Sequence, residues 1–168
     1  TFWSPVLEGE TAIVELFVPE AAQRPALAID RLSHLFVNPA APDAEKAAKI
    51  GESASCEVDF LCRANSDSAL LQTGRSVARM TFTLSTGGTA LCTGTLLNST
   101  DSSLTPYFYS AAHCFTEQTV ASTLTTHWFY EATSCGSNTL SGSYVQVAGG
   151  ATILYANVTG DINFMRLN

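Results

Sequence analysis

Apolar residues in this chain recur with the period of a strand far more than with that of a helix. The run "TAIVELFV" (11–18), between the turn-prone "LEGE" and "VPE", places residues 1–18 in two strands. Further on, "SVARMTFTL" and "TALCTGTLL" are separated by "STGG", which predicts a hairpin whose loop glycines can take positive φ. "NSTDSSLTP" then reads as an exposed loop and "YFYSAA" as a buried strand, and "LTTHWFYEA", "SGSYVQVAGGATILYA" and "INFMRLN" continue the series. Helical periodicity is nearly absent outside the Ala-rich "AAPDAEKAAKIGE", which reads as a linker. The expected fold class is all-β, a barrel or a sandwich, with no repeat of fixed period.

Composition narrows the function classes. With 168 residues the chain is long enough for one well-buried domain. Charged residues are only 14% and the net charge is −7, so the basic footprint of a nucleic-acid binder is missing. No apolar run of about eighteen residues could span a bilayer, and the amino terminus has no signal-peptide pattern. The sequence argues against nucleic acid and membrane as partners. The low charge and abundant Ser, Thr and Gly fit a secreted, extracellular β protein.

Five cysteines, Cys56, Cys62, Cys92, Cys114 and Cys135, are widely and irregularly spaced. That spacing fits a disulfide framework better than a closed zinc site, whose ligands come in close pairs. The odd count leaves one cysteine unpaired, reactive or bonded outside the chain.

The candidate chemistry centres on "YFYSAAHCF" (107–115). A lone histidine beside a strand is ordinarily a core or surface residue. Here small Ala111 and Ala112 leave room around the His113 imidazole, and Cys92 on the preceding hairpin is placed to receive a bond from Cys114. Such a bond would close a loop of about twenty residues, worth on the order of 3 kcal/mol.

These residues carry a resemblance. "CTGTLLN" from Cys92, a loop, and then "SAAHC" resemble the hairpin and histidine loop of trypsin-like serine proteases. Among these the chain is most similar to the bacterial lysyl endopeptidases: "SASCEVDFLC" resembles their mature amino terminus, "WFYEATSC" their W-x-Y-x-x-x-x-C stretch, and "GDINFMRL" their late Asp before an apolar strand. The resemblance covers about Ser53 to Leu167. It implies the N-terminal β-barrel of a two-barrel enzyme, preceded by a β-rich leader, with residues 1–49 as the end of a propeptide plus linker and residues 50–168 as the first barrel. It implies His113 as general base and Asp161 as the carboxylate that orients it. It also implies disulfides Cys92–Cys114 and Cys62–Cys135, with Cys56 bonded to the absent carboxy-terminal half.

One departure from the family is large. No stretch resembles its Gly-x-Ser-Gly nucleophile segment, so the resemblance implies that the second barrel and the nucleophilic serine are missing and that residues 1–168 do not hydrolyse peptides alone. Lys46 and Lys49 are the only lysines, both just before the family-like mature start. This raises lysine specificity and cleavage between Lys49 and Ile50 as expectations. The expected partners are a protein or peptide substrate and the missing barrel; no cofactor or metal is expected.

Other readings are weighed beside this one. A non-catalytic secreted binding or adhesion module would keep the same barrel and disulfides. A metal site using His113 with cysteines competes with the disulfide reading of those cysteines. His34 reads as structural or exposed, and His127 as a surface partner of its strand. Asn98-Ser-Thr and Asn157-Val-Thr fit the glycosylation acceptor pattern.

Overall fold

A computed structural model describes residues 2–19, 25–35, 58–137 and 139–168. Among the described residues three short helices, α1 (Phe60–Ala64), α2 (Ser68–Gly74) and α3 (Gln118–Ala121), accompany seven strands. The strands are β1 (Val77–Thr83), β2 (Thr89–Leu97), β3 (Tyr107–Ser110), β4 (Thr125–Trp128), β5 (Val145–Ala148), β6 (Ala151–Asn157) and β7 (Ile162–Leu167). They form one antiparallel sheet in the order β5-β4-β1-β2-β3-β7-β6.

The all-β expectation holds, and the order of the strands sets the shape. A flat sheet would hold its outer strands β5 and β6 about 29 Å apart at ordinary strand spacing. Only Gly149 and Gly150 join Ala148 to Ala151, a link that reaches roughly 11 Å. The sheet therefore rolls up until its two outer strands are neighbours. At the joint Gly150 has φ +75°, and a Cβ there would lie 2.6 Å from the Ser122 carbonyl oxygen, so the turn requires glycine.

Alternation along the strands fills the inside of the roll. Ala78, Met80 and Phe82 of β1 point inward and meet Phe108, Leu124 and Met165. Phe108 is fully buried and packs on β2 where Gly94 has no side chain; a Cβ on Gly94 would come within 2.3 Å of its ring. Burial of a side chain of this size contributes roughly 1.5–3 kcal/mol.

Two features depart from the sequence reading. Helices α1 and α2 lie in "DFLCRANSDSALLQTG", where periodicity over so few residues is weak. Their signal is local: Asp59 and Asp67 each cap a helix, the Asp67 carboxylate accepting from the N–H groups of Ala69 and Leu70 at 3.0 Å. The second departure is the amino-terminal segment. The two strands expected there are not formed in the described residues 2–18, whose backbone pairs with no strand of the sheet, not even its outer strands β5 and β6. Ile13 and Phe17, apolar and in alternating positions, stay 92% and 84% exposed.

Candidate active site

His113 follows β3 in a short turn closed by a bond from the Cys114 N–H to the Ala111 carbonyl. Three anchors fix this turn. Cys114 is buried and its sulfur is bonded to Cys92 on β2, with Cα atoms 6.3 Å apart. Ala112 packs inside. The Phe115 carbonyl accepts a 2.7 Å hydrogen bond from the side-chain amide of Asn163, a fully buried residue of β7.

Asp161 ends the four-residue connection between β6 and β7. Asn157 shapes that connection, its side-chain oxygen accepting from the Gly160 N–H at 2.7 Å. The turn leaves Asp161 at φ +52°, a conformation uncommon for a residue with a side chain. From there its carboxylate reaches His113 twice. Oδ1 accepts from the His113 backbone N–H at 2.9 Å, and Oδ2 lies 2.7 Å from the ring Nδ1.

An ionised carboxylate can only accept, so Nδ1 carries the proton and Nε2 is left with its lone pair. Among the described residues Nε2 has no hydrogen-bond partner, and the imidazole is 72% exposed. The backbone and then the side-chain hydrogen bonds from His113 hold the Asp161 carboxyl below its ordinary pKa of 3.8. The pair is thus a carboxylate gripping the Nδ1 side of an imidazole whose other nitrogen faces solvent.

The same neighbourhood can be tested for metal chemistry. Sulfurs of Cys92 and Cys114 and a His113 nitrogen lie within 4.8 Å of one another. The two sulfurs are bonded to each other, so neither is a thiolate ligand. A second disulfide, Cys62–Cys135, ties α1 to the segment after β4. Cys56, Lys49 and Ile50 lie outside the described residues.

The other histidines separate clearly. His34 is exposed. His127 is not a surface residue as its strand position suggested; it is fully buried, because Tyr144 covers it in addition to its own strand. Burial, and secondarily the charge of Arg79, push it down to about 4. Ser110, three residues before His113, is buried and donates to the Thr93 carbonyl at 2.8 Å, which makes it part of the strand packing. Asn163 was not singled out in the sequence; the sign available was an amide inside the apolar run "INFMRL".

Comparison with known proteins finds matches in two stretches of the chain. Residues 50–168 match a family model described as lysyl endopeptidase, C-terminal domain, and residues 1–36 match one described as lysyl endopeptidase N-terminal domain. A lysyl endopeptidase of Pseudomonas aeruginosa is 40% identical over 173 residues, covering 99% of this chain and 37% of that protein. The chain thus spans little more than a third of the length of this curated relative. No solved structure matches it.

Proposed function

We propose, from the premise that this chain belongs to the lysyl endopeptidase family, that it supplies the general base and the orienting carboxylate of a secreted serine endopeptidase. The observation that carries the reading is the double grip of Asp161 on His113, with Nδ1 at 2.7 Å and the imidazole open to solvent. In the reaction, Nε2 takes the proton of a serine hydroxyl as its oxygen attacks the scissile carbonyl, and the imidazolium returns that proton to the leaving amine. Asp161 holds the ring in the tautomer that leaves Nε2 bare and stabilises the imidazolium as it forms.

The serine and the oxyanion donors lie, in this reading, outside residues 1–168, in a second barrel that completes the cleft; the chain alone is inactive. Cys56 bonds to that half. Residues 1–49 are the end of a propeptide with its linker, and cleavage after Lys49 frees Ile50. The placement of both lysines before that bond supports lysine specificity.

The test uses the full-length enzyme. His113→Ala is expected to abolish hydrolysis of lysyl peptide substrates, and amino-terminal sequencing of the secreted enzyme is expected to begin at Ile50. Hydrolysis unaffected by His113→Ala would overturn the catalytic reading and favour a binding module on the same barrel. A start far from Ile50 would overturn the processing site alone.

A further inference from the structure

We propose that the outer face of β4 and β5 is a docking seat for the leader, in which His127, Tyr144 and Gln146 form one directed hydrogen-bonded chain that ends on the backbone carbonyl of Val6. The proposal rests on the reading of residues 1–49 as a propeptide and says where that propeptide sits.

His127 on β4 and Gln146 on β5 are cross-strand partners, so their side chains share a face of the sheet. Arg79 on β1 lies across from His127 on its other side. On this face the contacts run in a line. Thr81 Oγ1 is 2.9 Å from His127 Nε2, His127 Nδ1 is 2.6 Å from the Tyr144 hydroxyl, and that hydroxyl is 3.3 Å from Gln146 Oε1. Gln146 Nε2 then donates to the Val6 carbonyl at 3.3 Å.

The leader end fixes the direction of the whole chain. A backbone carbonyl only accepts, so Gln146 presents its NH2 to Val6 and its oxygen to Tyr144. The Tyr144 proton therefore goes to Gln146, the phenol oxygen accepts from His127 Nδ1–H, and the bare Nε2 accepts from Thr81. Each polar atom in the line has a role, as the burial of His127 and Thr81 at its inner end requires. The imidazole and phenol rings also lie nearly parallel, with centroids 5.9 Å apart.

Other contacts place the leader on this side of the molecule. Glu8, two residues beyond Val6, is near enough that its charge adds to the effects of burial and of Tyr130 in raising the Tyr144 phenol. Ser33 Oγ lies 2.6 Å from Thr89 Oγ1, at the tip of the β1–β2 hairpin. Neither contact involves His113 or Asp161, and the His113 side chain is 72% exposed with the leader in place. The seat therefore holds the described leader residues, 2–19 and 25–35, by contacts that do not touch His113, whose imidazole stays open.

The experiment measures binding of a synthetic peptide of residues 1–36 to the mature full-length enzyme by titration calorimetry. The wild-type enzyme is expected to bind it, with Kd raised about five- to tenfold by Gln146→Leu and by Tyr144→Phe, the scale of one lost hydrogen bond. An active-site serine inhibitor is expected not to compete. Unchanged hydrolysis of a small substrate shows that both variants fold. Equal Kd for wild type and both variants, or displacement of the peptide by the inhibitor, overturns the seat. If sequencing finds residues 1–36 still attached, the propeptide reading fails, and the seat is read in that intact protein by hydrogen exchange. Residues 141–149 are then expected to exchange faster in Gln146→Leu; unchanged exchange overturns the seat.

Discussion

Asp161 holds His113 by two different groups at once, one carboxylate oxygen on the backbone N–H at 2.9 Å and the other opposite ring Nδ1 at 2.7 Å. A single side chain thereby fixes both the position of the turn and the rotation of the ring. It also explains how Asp161 keeps φ +52°, since strain on the order of 1 kcal/mol is offset by two hydrogen bonds to a charged acceptor.

Asp161→Asn in the full-length enzyme keeps the shape but changes the acceptor. The amide can present its NH2 to the ring and trap the wrong tautomer. Loss of kcat by about 10³- to 10⁴-fold is expected, with KM nearly unchanged. Steady-state kinetics on a lysyl substrate measures it.

His127 ties stability to pH. Its folded pKa of about 4 lies below its ordinary 6.5, so the unfolded chain binds the proton more readily. The stabilisation is complete above pH 6.5 and is lost as pH falls towards 4, by roughly 3 kcal/mol at most. Chemical denaturation at pH 7 and pH 5 is expected to show part of that loss in the wild type and a shallower slope in His127→Gln.

Removing the Cys92–Cys114 bond by a double Ala substitution frees the turn that carries His113. A stability loss of about 3 kcal/mol is expected from loop closure alone. Activity at a temperature where the variant is still folded is expected to fall as well, because the imidazole loses its covalent anchor. Thermal unfolding together with kinetics separates the two effects.

Gly150→Ala tests the joint between the outer strands. The new methyl group would meet the Ser122 carbonyl oxygen at 2.6 Å, at a residue with φ +75°. Destabilisation of roughly 2 kcal/mol or more is expected, read as a lowered midpoint in urea. A neutral result would mean that the roll opens without cost.

Much of the sheet was legible in the chain because each strand announces itself locally. "VARMTFT" alternates, and the glycines before "TALCTGTLL" allow the tight turn that pairs the two. The amino-terminal "TAIVELFV" shows the limit of the same signal. It has the strand pattern, yet a strand also needs a neighbour to bond to, and no pattern within eight residues says whether one exists. Helices α1 and α2 escaped for the opposite reason, since five and seven residues are too few for a period and only the Asp caps mark them.

The sequence by itself determined the residue types of the candidate site: a histidine between small residues and a cysteine, and an aspartate before an apolar strand, both set by motifs that lie along the chain. Tertiary structure alone decided that those two, 48 residues apart, meet at hydrogen-bond distance. It also decided that His127 is buried in a polar line while His113 stands open to solvent. His113 follows β3 and His127 lies within β4, a difference in local position that does not by itself decide burial. What distinguishes them is which strands the rolled sheet brings alongside, and burial is a property of that packing, not of the neighbours in the chain.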